Sequence, residues 1–236
     1  MGISHEHTGI WQNLYEELYQ YRFELYFSCI IAFLFGSLFV THEIFQSIFY
    51  PILIRINLLT GILLISKKKN LLRLQLSIFG ISLFIFGLEI FQIPDQITEI
   101  SYVRLGINFL FFTIVAWEII LQVWKAERVN NHVIFGLMNG FISIGLIGFF
   151  ILLAIELSTP GSFHGLKMDT NHPEPTFDSL IYFSFITLLT VGYGDIYPLT
   201  PVAQRATIFI GMMGQFYLVI LTAVVVEKYI RHNHEE

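Results

Sequence analysis

The chain has 236 residues, 55% of them apolar and only 13% charged, with 24 phenylalanines and a formal charge of −5. A soluble globular domain carries about 25% charged residues, so the composition excludes that class and reads as an integral membrane protein. The single cysteine, Cys29, cannot form an intrachain disulfide, and a zinc site needs several ligands.

The chain begins with an amphipathic stretch. Ile10, Trp11, Leu14, Tyr15, Leu18, Tyr21 and Leu25 recur at helical spacing, opposite Gln12, Glu16 and Gln20. Tyrosine and tryptophan favour the membrane interface, so 1–22 is predicted as a cytoplasmic or interfacial helix. The alternative is a simple extension of the first span. No cleavable signal peptide or lipidation motif is visible. His5 with His7, and His232 with His234, read as flexible ends rather than metal ligands.

Crossing a bilayer as a helix takes roughly 20 mostly apolar residues. Segments 23–41, 46–66, 71–93, 103–124, 132–157 and 203–230 meet that need. The apolar run 178–190 is too short to cross and stops at a glycine-rich stretch, so it is predicted as a re-entrant helix. The expected fold is therefore an all-α integral membrane protein with six transmembrane helices plus one re-entrant helix and loop. This count puts Arg22, Lys67, Lys68, Lys69, Arg73, Lys125, Arg128, Lys228 and Arg231 on one side and only Arg104, Lys167 and Arg205 on the other. By the positive-inside rule both termini are then cytoplasmic. The run Lys67, Lys68, Lys69 reads first as a positive-inside anchor and second as a site for anionic lipid.

Three ionisable residues fall within spans: Arg55, Glu89 and Glu118. At about 1.5 Å rise per residue, Arg55 sits near mid-membrane, Glu118 about 6 Å nearer the cytoplasm and Glu89 about 9 Å nearer the outside. Intramembrane charges pair or face water. An Arg55–Glu118 pair acting as a structural staple is the first expectation, and a pH or ligand sensor the second. The outer loop 158–177 holds prolines and glycines, so an irregular turret is expected.

The stretch Thr187-Leu188-Leu189-Thr190-Val191-Gly192-Tyr193-Gly194-Asp195 poses a conflict. Non-helical backbone at membrane depth survives only when buried in protein or lining a watery path. An extended backbone over Thr190 to Gly194 can aim successive carbonyls at an axis, with Gly192 and Gly194 free to take φ > 0. Carbonyl oxygens replace the hydration shell of a cation, and the C-terminal end of the preceding helix favours positive charge.

These nine residues resemble the signature selectivity filter of potassium channels. The preceding FDSLIYFSFIT resembles the family's pore helix, and the following IYPLTP its outer mouth. The resemblance covers about 132–230 and implies ion binding by Thr190, Val191, Gly192, Tyr193 and Gly194. It implies no enzyme and no cofactor beyond the permeant potassium ion. One loop is a quarter of such a filter, so a homotetramer is implied unless another subunit contributes. The architecture resembles the six-span members: 23–130 as a four-helix domain like a voltage sensor, 131–231 as the pore domain, and 232–236 as a short cytoplasmic tail. The expected location is the plasma membrane, or the cell inner membrane of a bacterium. A short tail leaves no room for a nucleotide-binding or calcium-sensing domain, so gating is expected to act through the membrane region, the filter or a partner. Nothing in the sequence points to nucleic acid.

Departures from the family pattern matter. Leu189 stands where many members have a second threonine, Tyr182 and Phe183 where many have paired tryptophans, and Ile186 where some have a glutamate that pairs with the aspartate after the filter. Asp195 is then expected to be held by Tyr182 or by backbone donors, with Thr187 in a supporting role. Tyr197, at the outer mouth, predicts block by external tetraethylammonium through cation–π attraction. Gly214, with Gly211, stands where relatives carry a gating hinge, close helix packing being the equal alternative. The fourth span has Arg104 at its outer end, Lys125 and Arg128 at its inner end, and no cation between, so strong voltage gating is not expected. Rival functions are a non-selective cation channel, a transporter-associated subunit and a non-conducting regulatory subunit.

Overall fold

The computed structural model describes residues 4–41, 44–90, 98–126, 130–166 and 177–233. Arg128, Lys167, most of the expected turret and the tail from 234 lie outside the described residues, as does the side chain of Glu89. The helices are α1 Ser4–Gln20, α2 Arg22–Phe35, α3 Tyr50–Ile65, α4 Lys69–Ile90, α5 Thr98–Lys125, α6 Asn131–Ser158, α7 Phe177–Leu188 and α8 Pro201–Asn233. Two short strands, β1 Phe163–His164 and β2 Tyr197–Pro198, pair antiparallel, a ladder the sequence reading did not anticipate.

Among the described residues, α4, α5, α6 and α8 are long and apolar enough to cross a membrane. A fifth crossing is available if Gln12–Gln20 and Arg22–Leu38 count as one bent span. That pair bends by 66°, so α1 turns away from α2 rather than extending it. Arg22 braces the corner: its Nη1 donates to the Tyr19 carbonyl at 3.0 Å, and its guanidinium lies over the rings of Tyr19 and Phe23. α3, at 16 residues, is short for a crossing. Pro51 opens it, and a proline's ring and missing N–H disturb the turn before it. That turn widens into a π turn, Phe45–Phe49, in which the Tyr50 N–H donates to the Phe45 carbonyl.

The chain divides into two compact units, Met1–Gly87 with Glu118–Asn139, and Leu88–Trp117 with Gly140–Glu236. In the first, α2 packs on α3 around the buried Tyr26, Ile30, Leu58 and Leu64. The buried Asn57 amide donates to the carbonyls of Cys29 at 3.2 Å and Leu53 at 3.0 Å, stitching the two helices. Asn139 donates to the Phe23 carbonyl at 2.7 Å, and Asn130 caps α6 by accepting the Val133 N–H at 3.0 Å.

The same unit corrects the expected Arg55–Glu118 pair. Glu118 is buried and is bound by Lys68 Nζ at 2.6 Å and Gln122 Nε2 at 3.1 Å. Arg55 donates instead to the Pro51 carbonyl at 2.7 Å and lies 3.8 Å from the Phe86 ring centroid. Counting helical rise ignored side-chain reach. A lysine at a helix turn snorkels along its stem to a carboxylate several ångströms away.

In the second unit the core is aromatic. Phe112 stacks on Phe150 at 5.7 Å, and Phe149, Leu180 and Leu188 are buried. Ser184 Oγ donates to the Gly145 carbonyl at 2.7 Å, fixing α7 against α6.

Candidate functional site

α7 buries Leu180, Phe183, Ser184 and Leu188, which recur every three or four residues, and Asp178 in its first turn suits the positive end of the helix dipole. Its C-terminal carbonyls then capture the loop. Leu189 N–H donates to Phe185 O at 2.9 Å, and Thr190 N–H to Thr187 O at 3.0 Å. Val191 and Gly192 both donate to Ile186 O, at 2.9 and 3.3 Å. Three consecutive loop amides are therefore turned back toward the helix end.

The backbone beyond alternates in hand. Thr190, Gly192 and Gly194 hold φ at 58°, 53° and 83°, and Thr190 is the one non-glycine with positive φ among the described residues. Positive φ at every second residue lets a backbone present successive carbonyls to one side. Among the described residues no backbone amide donates to the carbonyls of Thr190 to Gly194. Carbonyl oxygens left without backbone donors have the chemistry that suits a dehydrated alkali cation.

The outer side of the loop is braced by chain on both flanks. Tyr182 and Asp195, paired in the expectation from sequence, lie close enough to interact electrostatically. β1 lies against β2, with His164 opposite Tyr197 and their rings stacked at 4.7 Å. Phe163 is buried edge-on against Phe183, with ring centroids 5.6 Å apart. Gly165, at φ +82°, has its Cα against the Asp195 carbonyl oxygen, where a Cβ would collide. Glu156, at 2% exposure, accepts the Gly161 N–H at 2.7 Å and shapes the turn that leads into β1. The sequence reading missed Glu156, His164 and Gly165. Their only signal was the Pro160–Gly165 run, which reads as irregular loop.

Beneath the loop, α8 starts at Pro201 under a Thr200 cap, with Ala203 N–H donating to Thr200 Oγ1 at 3.3 Å, and runs unbroken through Gly211 and Gly214. A Cβ on Gly214 would collide with the Leu188 carbonyl oxygen, and one on Gly211 would lie 3.9 Å from that of Thr187. Gly214 thus lets α8 press against the end of α7. Of the other sequence candidates, Arg55 and Glu118 belong to the first unit.

Residues 141–231 match the family described as Ion channel, a stretch that takes in most of α6, α7, the loop and most of α8. That family is one of ion channels, not of enzymes. The voltage-gated potassium channel regulatory subunit KCNF1 of Rattus norvegicus, Mus musculus and Homo sapiens is similar, at 22% identity over 159 residues, covering 65% of this chain. The match spans 31% of the length of those curated relatives. No solved structure matches the chain. The ion-channel match, the likeness to these potassium channel subunits and the TVGYGD loop together support a relation to the pore-loop potassium channel superfamily.

Proposed function

We propose that four copies of this chain surround one axis and conduct potassium selectively and passively, with Thr190 to Gly194 of each copy forming the filter. The observation that carries this reading is the alternating φ of Thr190, Gly192 and Gly194 together with the capture of three loop amides by α7. Exposure supports the assembly: Leu189, Val191 and Tyr193 are 51%, 47% and 75% exposed in a single chain. Apolar side chains on a backbone this polar call for neighbouring copies to cover them.

On this reading α7 is re-entrant, and six spans come from α2 with the turn after it, from α3 with its π turn, and from α4, α5, α6 and α8. Residues 23–130 form the four-helix domain and 131–231 the pore domain, with α1 on the membrane surface. Both termini face the cytoplasm, and the host membrane is the plasma membrane or the bacterial inner membrane. Potassium is the permeant ion and no cofactor takes part.

The test is reconstitution of the purified protein and measurement of reversal potential under opposed potassium and sodium gradients. Reversal near the potassium equilibrium potential is the expected result; reversal near zero with clear current makes the pathway non-selective. A second reading follows from the relatives' name. The chain is then a regulatory subunit that contributes one loop to a mixed tetramer, and purified protein alone carries no current until a conducting subunit is added.

A further inference from the structure

The first unit holds a cavity of about 650 Å³, within the range of about 300–1,000 Å³ usual for small-molecule sites. Its walls come from the α1–α2 corner, the α3–α4 turn, the end of α5 and the start of α6. The floor is apolar, with Leu64, Ile65, Leu121 and Val133. The polar part is unbalanced: Arg22, Lys67, Lys68 and Lys125 line it against the one carboxylate of Glu118. Lys68 is committed to Glu118 at 2.6 Å, and Arg22 Nε donates to Gln122 Oε1 at 3.1 Å. Lys67 sits 4.0 Å from the Tyr19 ring centroid. Among the described residues neither Lys67 nor Lys125 meets a carboxylate, and both are exposed at the cavity. Tyr19 is fixed in turn: its neighbour Tyr15 hydrogen-bonds to Ser66 at 2.7 Å, which docks α1 on the α3–α4 turn.

We propose that this cavity binds a phosphate-bearing group, with the anion held between Lys67 and Lys125 and an apolar tail lying on the Leu64–Val133 floor. A cationic rim over a greasy floor fits an amphiphile, and on the orientation proposed above the rim lies at the cytoplasmic interface, where anionic headgroups are found. The site differs from a simple lysine run. Lys67 and Lys68 line the cavity, whereas Lys69, next in sequence, and Arg73 do not.

The test uses full-length protein, delipidated in detergent and titrated with phosphatidic acid or phosphatidylcholine, with bound lipid read by native mass spectrometry. No current is measured, so the outcome is independent of whether the protein conducts. Phosphatidic acid should be retained in preference to phosphatidylcholine. Lys67→Gln and Lys125→Gln should each weaken that retention about fivefold, while Lys69→Gln and Arg73→Gln leave it unchanged. Lys67→Arg keeps the charge and should keep the lipid. Displacement of phosphatidic acid by inorganic phosphate would leave the site standing and make free phosphate its source. Equal retention of the two lipids with no effect of phosphate would overturn the proposal. So would equal weakening by Lys69→Gln and Lys67→Gln, or loss of binding in Lys67→Arg.

Discussion

Thr190 holds φ at 58°, a conformation that costs a β-branched residue about 1–3 kcal/mol. The strain persists because its own amide and the next two are held by the end of α7. The loop is therefore poised, and small losses around it should show in its behaviour. Tyr182→Phe removes the hydroxyl that interacts with Asp195. Tyr182 is 38% exposed, so water replaces part of that interaction. Sustained potassium current in Tyr182→Phe should decline several-fold faster than in the parent; an unchanged decay would remove Tyr182 from the support of the loop. Gly214→Ala sets two effects against each other. Alanine favours the helix by about 1 kcal/mol, but its Cβ meets the backbone oxygen of Leu188, which cannot step aside, at a cost of about 1–3 kcal/mol. Overpacking wins, so thermal unfolding in detergent should begin at lower temperature. A hinge role alone would leave the melting temperature unchanged and alter only opening.

Among elements, what the sequence made legible was the strong periodic signal. Long apolar runs marked α4, α5, α6 and α8, and TVGYGD marked the loop. Two-residue strands carry no period, so β1 and β2 left no trace, and Gly165 looked like any loop glycine. The π turn before α3 was equally silent, inside a segment, 46–66, read as one unbroken span. The pairing of Glu118 was misread for a different reason. Depth along a helix is a backbone quantity, and the ammonium of Lys68 reaches it from the α3–α4 turn. That pair predicts an asymmetry. The Glu118 side chain is 3% exposed and that of Lys68 44%. Lys68→Met leaves a buried carboxylate with only Gln122 to hold it, whereas Glu118→Gln returns an exposed lysine to solvent. Stranding one charge of a buried pair costs about 3–5 kcal/mol, a figure reduced here because Lys68 is half in water. Lys68→Met should therefore melt below Glu118→Gln, and adding Glu118→Gln to Lys68→Met should recover most of the loss. Equal melting of the two single variants would show that the carboxylate does not depend on Lys68.

At the scale of the whole molecule, the question is what the first unit does for the pore. A voltage sensor needs cations that move through the field, and each elementary charge crossing 100 mV supplies about 2.3 kcal/mol. α5 carries Arg104 and Lys125 with no cation between them. The one cation midway along another helix, Arg55, is tied to its own helix by the Pro51 carbonyl and lies on Phe86. Lys68 and Arg22 are engaged at the α3–α4 turn and the α1–α2 corner, outside the middle of any span. On the proposed channel reading, membrane potential then has little lever on the first unit. In single-channel recordings of the reconstituted protein, open probability should change by less than about 50-fold per 100 mV, the limit for one charge per channel. The limiting slope at low open probability is the measurement. A slope equivalent to several charges would mean that Arg55 leaves Pro51 and Phe86 during opening, and Arg55→Gln should then flatten it.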